Sequence, residues 1–220
     1  MDLNEALYTT RAMRRVSSEP VPPDVVQSML DAAIRSPSGG NSQNWRWLTV
    51  TDRSTVRELG VLYAEAWVEL NETFYKGARE AALDRGDETT LRVLSSSQWL
   101  ADNFHRVPLV VLVYNRNDPS GASIFPGVWS MMLAARGHGV GTTLTTLLGM
   151  FKQTEVADLL GVPLDKGWQN AAAIPCGYPL GRWGLAERAP VHDVVYEERW
   201  GEQPEWRVEE VLWTESSLGL

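Results

Sequence analysis

Ala32-Ala33-Ile34-Arg35-Ser36-Pro37-Ser38-Gly39-Gly40-Asn41-Ser42-Gln43-Asn44-Trp45 joins two kinds of periodicity, and the change between them sets the fold class. Ahead of the loop, Val25, Val26, Met29, Leu30, Ala33 and Ile34 recur at helical spacing after a Pro22-Pro23 turn. Beyond it, Trp45 to Thr51 alternates large apolar and polar side chains, the pattern of a half-buried strand. The residues between, from Ser36 to Asn41, are breakers that extend neither element.

The same reading carries along the rest of the chain. Leu3, Ala6 and Leu7 fall on one helical face. Residues 54–105 read as a helical hairpin with Leu59, Leu62, Tyr63, Ala66 and Trp67 on one face and a polar break at Arg85-Gly86-Asp87; this stretch is the candidate lid. Val107 to Tyr114 is almost wholly apolar, as a central strand covered on both faces must be. Phe125 to Arg136 is helical and is closed by Gly137 and Gly139. Thr142 to Thr146 can extend, Thr154 to Leu160 is a short helix, and Gln169 to Gly177 and Asp193 to Tyr196 are strand candidates. Helices and strands mix without a strict βαβ repeat, so the expected class is α+β in a single domain spanning 1–220. Residues 203–220, with Trp206, Val208, Val211, Leu212 and Trp213, form either an arm that packs on another subunit or a surface helix of its own chain.

Composition narrows the function classes. Twenty basic against 28 acidic side chains give a net charge of −8, which argues against a broad surface for nucleic acid or acidic lipid. A lone cysteine, Cys176, cannot form an intrachain disulfide and reads as a small buried residue, and the three histidines have no metal-site spacing, so no metal is expected. The first ten residues carry acids rather than a basic segment followed by an apolar run, and no membrane-length apolar stretch follows, so the expected location is the cytoplasm. Ten tryptophans are a heavy load that core packing, a flat ligand or a subunit interface would each use.

Two clusters carry candidate chemistry. Arg11, Arg14 and Arg15 sit where a helix gives way to an extended turn; guanidinium groups match phosphate oxygens bidentately, although a basic run of this kind also serves as an ordinary solvated face. In Pro37-Ser38-Gly39-Gly40-Asn41-Ser42-Gln43, adjacent glycines let the backbone approach a flat or anionic ligand, with Ser38, Asn41 and Gln43 as donors and acceptors; a plain connection is the alternative. There is no GxGxxG and no Walker lysine.

In combination the motifs are specific. Arg11-x-x-x-Arg15 with Pro20-Val21-Pro22, then Ala32 to Trp45, then Gly127 to Gly141, then Gly177-Tyr178-Pro179 with Arg188-Ala189-Pro190, resemble in order the nitroreductase superfamily over some four-fifths of the chain. The resemblance implies a central, mainly antiparallel sheet surrounded by helices, and an intertwined homodimer with FMN sites shared between chains. By position, Arg11, Ala12, Met13 and Arg15 would meet the FMN phosphate and ribityl chain, with Arg188 closing on the phosphate. Pro37 and Ser38 would approach the flavin ring from the partner chain, with Gly39, Asn41 and Gln43 nearby, and Leu144, Thr145 and Thr146 would lie along the ring's other edge. Two departures stand out: Ala12-Met13 replaces polar residues common in relatives, shifting the phosphate grip toward backbone N–H groups and Arg14 or Arg15, and Asn44 stands where relatives often have proline.

The implied activity is reduction of nitroaromatics, quinones or related flat acceptors by NADPH or NADH in a ping-pong sequence, with the organic chemistry on the flavin and no catalytic side chain required. Tyr63, Trp67, Tyr75, Lys76 and Trp99 of the lid region are the candidate acceptor-selecting residues. The nearest rival is a reductive dehalogenase resembling iodotyrosine deiodinase, since Glu72, Tyr75 and Lys76 could close over a zwitterionic amino acid. A flavin-storage or sensing protein, or an interaction protein that kept the fold, are rivals from other classes; presence of Arg11, Arg15 and Arg188 weighs against the last.

Overall fold

The computed structural model describes residues 1–214, which form two compact units, one comprising residues 12–182 and the other 1–11 with 183–214. In chain order the helices are α1 (Leu3–Thr9), α2 (Pro23–Ala33), α3 (Arg53–Phe74), α4 (Ala78–Arg85), α5 (Glu88–Asn103), α6 (Ile124–Gly137), α7 (Leu147–Phe151) and α8 (Gln153–Leu160). The strands are β1 (Trp45–Val50), β2 (Leu109–Asn115), β3 (Gly141–Thr142) and β4 (Gln169–Gly177).

The larger unit is built on a four-stranded sheet in the order β1-β2-β4-β3, antiparallel at every pairing. Strand β2 is buried along its whole length, and its pleat sends successive side chains to opposite layers. Val110, Leu112 and Tyr114 join a core with Leu59, Tyr63, Trp67, Leu100 and Phe104. Leu109, Val111 and Val113 join the other core with Met29, Ala33, Ile124, Val128 and Met131. Helices therefore cover both faces, and a continuous apolar run, rather than an alternating one, is what such a strand needs. The sequence expectation of an α+β fold with a central antiparallel sheet holds.

Local chemistry sets the helix ends. Asp52 caps α3, accepting from the Thr55 backbone N–H at 2.9 Å, and Asp87 caps α5 through the Thr90 N–H at 2.9 Å. Residues 54–105 are helical as expected, but in three helices rather than a hairpin. Gly77 and Gly86, at φ of 77° and 65°, take up the left-handed turns on either side of α4. Arg53 donates to the carbonyls of Val107, at 2.6 Å, and His105, tying the start of α3 to the entry of β2.

Extension over Thr142 to Thr146 is only partial: β3 ends at Thr142, and Thr145 bridges singly to Ala173. Cys176 is fully buried in β4. Of the tryptophans, Trp45, Trp67 and Trp213 are buried, whereas Trp200 is 92% exposed.

The smaller unit holds α1, capped by Asp2, and a largely irregular C-terminal stretch. Tyr8 packs against Trp213 with ring centroids 5.6 Å apart and the planes tilted by 36°. The strand expected over Asp193 to Tyr196 does not form. Pro190 instead leads into a single 3-10 turn, Val191–Asp193, and an exposed segment with no partner strand replaces it. The expected helix alternative for residues 203–220 is likewise absent from 203–214, and the remainder of that segment lies outside the described residues.

Candidate functional site

A cavity lined by hydroxyl, aromatic and guanidinium groups lies in the 12–182 unit where the segment after β3 meets α3 and α5. The reason is local. Gly141 carries no side chain, and a Cβ there would lie 2.7 Å from the Met13 Cβ, so the 12–16 segment can run against β3, with the Met13 N–H donating to the Thr142 carbonyl at 2.9 Å. Ser17 and Leu180 add backbone bonds to Tyr178 and Arg15, fixing the same segment from its other end. Arg14 is thereby presented inward, half-buried, with its guanidinium 3.3 Å from the Ser96 hydroxyl of α5.

The resulting cavity has a volume of ≈ 370 Å³. Its floor is Thr143, Leu144, Thr145, Thr146 and Leu147; its walls are Tyr63, Trp67, Leu70 and Tyr75 on one side and Thr89, Thr90, Val93, Leu94 and Ser97 on the other, with Arg14 between. The Tyr63 hydroxyl donates to Thr145 Oγ1 at 3.4 Å, and Trp67 Nε1 donates to Gln98 Oε1 at 2.8 Å, locking α3 to α5. Burial raises the Tyr63 phenol above its ordinary pKa, partly opposed by the Thr145 bond and by Arg14. Burial likewise lowers the Arg14 guanidinium from its usual value, and no carboxylate among the described residues lies against it to compensate. The Thr143 hydroxyl is buried with no hydrogen-bond partner among the described residues.

Of the side chains named from sequence, the cavity gathers Leu144, Thr145, Thr146, Tyr63, Trp67 and Tyr75. Lys76 lies outside it, in a neighbouring hollow of ≈ 500 Å³ with Asn71, Glu72 and Tyr75. Trp99 is half-buried on α5 and does not reach the cavity; the periodicity that placed it on the lid does not determine which way an indole points. Arg15 is exposed, its guanidinium 3.4 Å from the Ser95 hydroxyl, and Ala12 beside it is exposed too. Met13 is buried. In the smaller unit, Arg11 and Arg188 are both exposed, Arg188 donating to the Glu187 carbonyl at 2.8 Å. Thr143, Thr89, Thr90 and Ser97 are polar lining residues that sequence reasoning did not place, and Arg14, grouped there with the phosphate-binding arginines, lines the cavity; hydroxyl residues at helical spacing on α5, facing a tyrosine-bearing helix, were the available signal.

The glycine loop is exposed and bent. Gly40, Asn41 and Gln43 have φ of 58°, 52° and 49°, so two non-glycine residues hold a left-handed conformation at a cost of about 1–3 kcal/mol each. The loop braces itself: Ser38 Oγ accepts from the Gln43 N–H at 3.2 Å, Asn41 Oδ1 accepts from the Gln43 amide at 3.1 Å, and the Gly39 N–H reaches the Ser123 hydroxyl at 3.2 Å. Pro37 stands exposed at its entrance.

The donor set suits a flat heteroaromatic ligand rich in carbonyl and ring-nitrogen acceptors. An orphaned buried hydroxyl at Thr143 and a volume within the few hundred Å³ of a cofactor site meet what an isoalloxazine ring requires. No helix among the described residues is long and apolar enough to cross a membrane.

Known proteins resemble this chain in sequence and in fold. The profile of the Nitroreductase family matches residues 7–178. A protein named NADH dehydrogenase from Thermus thermophilus is 27% identical over 219 residues, covering 89% of this chain and 95% of its own. Iodotyrosine deiodinase 1 of Rattus norvegicus is 26% identical over 190 residues, covering 80% of this chain but only 61% of the deiodinase. Among solved structures, an iodotyrosine deiodinase bound to FMN and 3-iodo-L-tyrosine superposes with a TM-score of 0.68 at 20% identity, covering 86% of this chain and 95% of the other. The FMN and NADPH-dependent nitroreductase NfnB from sphigopyxis sp. strain HMH gives 0.67 at 19%, covering 89% and 98%. At these identities the superpositions establish the fold.

Proposed function

The chain belongs to the nitroreductase family, and from that premise we propose that it is an FMN-dependent oxidoreductase that takes electrons from NADPH or NADH and delivers them to a flat acceptor such as a nitroaromatic or quinone. The observation that carries the proposal is the composition of the cavity: aromatic walls, a hydroxyl floor and one arginine, with no carboxylate, histidine, cysteine or lysine among its lining residues. Such a lining, with no carboxylate, histidine, cysteine or lysine to activate its hydroxyls, suits binding and orienting a cofactor that supplies the reactive group. FMN when bound supplies that chemistry, receiving hydride from the nicotinamide and passing electrons to the acceptor.

The chain's own part is grip, orientation and exclusion of water. Arg11, Arg15 and Arg188 carry the charge to neutralise a phosphate dianion, with Ala12 and Met13 contributing main chain beside the ribityl group. Leu144, Thr145 and Thr146 border the flavin ring, and the Thr143 hydroxyl, otherwise unsatisfied, gains a partner. Pro37, Ser38, Gly39, Asn41 and Gln43 reach the ring of the partner chain, which makes the homodimer the functional unit and gives the strained loop its purpose. Tyr75 stacks on the acceptor, with Tyr63 and Trp67 backing the cavity from the core. Donor and acceptor occupy one cleft in turn, so initial-rate kinetics are ping-pong.

A second reading is favoured by one arrangement. Glu72, Tyr75 and Lys76 share the hollow at the end of α3, where a carboxylate, a phenol and an ammonium could hold a zwitterionic amino acid, as required of a reductive dehalogenase. Reconstitution tests the cofactor assignment: flavin-stripped protein should retain FMN far better than riboflavin. Equal retention of the two removes the phosphate grip, and retention of neither removes the oxidoreductase reading.

A further inference from the structure

We infer that the acceptor taken by this cavity is an aromatic bearing an anionic substituent, a carboxylate in the first instance, and that Arg14 is the residue that selects it. The inference rests on the flavin-oxidoreductase reading for the position of the reacting ring, but the anion site itself stands on the chain's own geometry.

Among the described residues Arg14 is the one charged side chain lining the cavity. It is half-buried, it donates to a neutral hydroxyl, Ser96 Oγ at 3.3 Å, and the ion pairs of the described residues leave it without a carboxylate. A guanidinium that has given up part of its hydration without a counter-charge is costly, and an anionic ligand recovers that cost through two parallel N–H···O bonds. The groups around it suit the rest of such a ligand. Tyr75 offers a face for an aromatic ring beside the buried Trp67, and the Ser97 hydroxyl on the opposite wall is a donor to a carboxylate oxygen, whereas the Thr90 hydroxyl is spent on Asp87 at 2.7 Å. Trp67 and Tyr75 sit with ring centroids 6.4 Å apart at a tilt of 39°, an aromatic corner rather than a closed stack.

Position separates this role from the phosphate grip. Arg15 points to Ser95 at the exposed side, whereas Arg14 points into the cavity between α3 and α5, the walls assigned to the acceptor. Neighbouring arginines thus divide the work, one facing the cofactor's tail and one the substrate. Lys76 and Glu72 lie in the adjacent hollow and are not part of this contact.

The test compares 4-nitrobenzoate with its neutral near-isostere 4-nitrobenzamide, on the flavin-loaded protein and its Arg14→Gln and Arg14→Lys variants. A charge-assisted pair predicts that the wild type favours the benzoate in kcat/KM, and that Arg14→Gln lowers this preference roughly ten- to hundredfold through KM. Bound flavin should be retained in both variants, and Arg14→Lys should restore part of the preference. An unchanged ratio in Arg14→Gln with flavin retained overturns the inference, as does loss of flavin from that variant, which would place Arg14 in the cofactor grip. A second measurement covers a variant that does not fold: calorimetric titration of the wild type with benzoate and benzamide. Binding of benzoate alone, weakened by salt, supports the site, and equal or absent binding of the two overturns it. Failure of the oxidoreductase reading shows separately, as flavin that no nicotinamide bleaches while benzoate still binds.

Discussion

The Tyr63 hydroxyl donates to the Thr145 hydroxyl at 3.4 Å, so the helix that walls the cavity is bonded to the segment that floors it. Thr145 also accepts from the Leu147 N–H at 3.4 Å and bridges by its backbone to Ala173, so the floor is anchored to β4 independently of Tyr63. Tyr63→Phe should therefore cost about 0.5–1.5 kcal/mol, the net worth of one ordinary hydrogen bond, because the stack on Phe104 at 4.6 Å survives. A thermal melt should fall by a few degrees. A drop typical of a large core truncation would show that Tyr63 holds more than this bond.

Exposed arginines should be separable from stability. Arg11→Ala and Arg188→Ala remove side chains that lie at the surface, so each should leave the melting temperature nearly unchanged while weakening FMN retention. The double variant should lose flavin on gel filtration. Tight FMN binding by the double variant would contradict their assignment to the phosphate.

The close approach of β3 to the Met13 segment should be intolerant of bulk. In Gly141→Ala the new Cβ would meet Met13 Cβ at 2.7 Å, inside any ordinary contact distance, and backbone lies behind both. Destabilisation of about 1–3 kcal/mol is expected. Since the same contact presents Arg14, affinity for anionic aromatics should fall with it. A fully stable variant would show that this segment has more freedom than the packing gives it.

One buried phenol is expected to set an alkaline limit to stability. Burial pushes the Tyr114 phenol up to about 12, with Asn170 drawing it partly back. An unfolded tyrosine ionises near 10, so between roughly pH 10 and 12 the unfolded chain releases a proton that the native chain keeps, and stability drops as pH rises through that window. Below pH 10 the contribution is complete. Tyr114→Phe should flatten the alkaline limb of a denaturation profile, and an unchanged limb would point to another group.

At the acid end the sign reverses. The Asp52 cap is held down to about 2 by bonds from Ser54 and Thr55, so it contributes above the ordinary carboxylate range and is lost as pH falls toward 2. Asp52→Ala should lower the melting temperature at neutral pH and leave it little changed at pH 2. A difference of the same size at both pH values would mean the cap acts through geometry alone.

Much of this fold was legible in the sequence because its signals are local. Val107 to Tyr114 read as a central strand because both of its faces are covered, and the strand runs from Leu109 only because Val107 closes the 3-10 turn Phe104–Arg106. The split of the lid into three helices was half visible: Gly86 marked one break, whereas the turn at Gly77 lacked a second breaker beside it. Asp193 to Tyr196 has the composition of a strand but no edge to pair with, and pairing is a tertiary fact. The cavity was least legible at Arg14. Adjacent arginines look alike in sequence, and what separates them is whether Ser95 or Ser96 of α5, some eighty residues later, lies opposite.

The central claim is that this chain is a flavin-dependent oxidoreductase, and anaerobic titration of the purified protein with NADPH and then NADH, followed in the visible spectrum, tests it most directly. The account predicts a yellow protein whose absorbance is bleached by at least one nicotinamide and restored by a nitroaromatic or a quinone. Restoration by a halotyrosine alone would select the dehalogenase reading. A protein that binds FMN but is bleached by neither nicotinamide would contradict the claim.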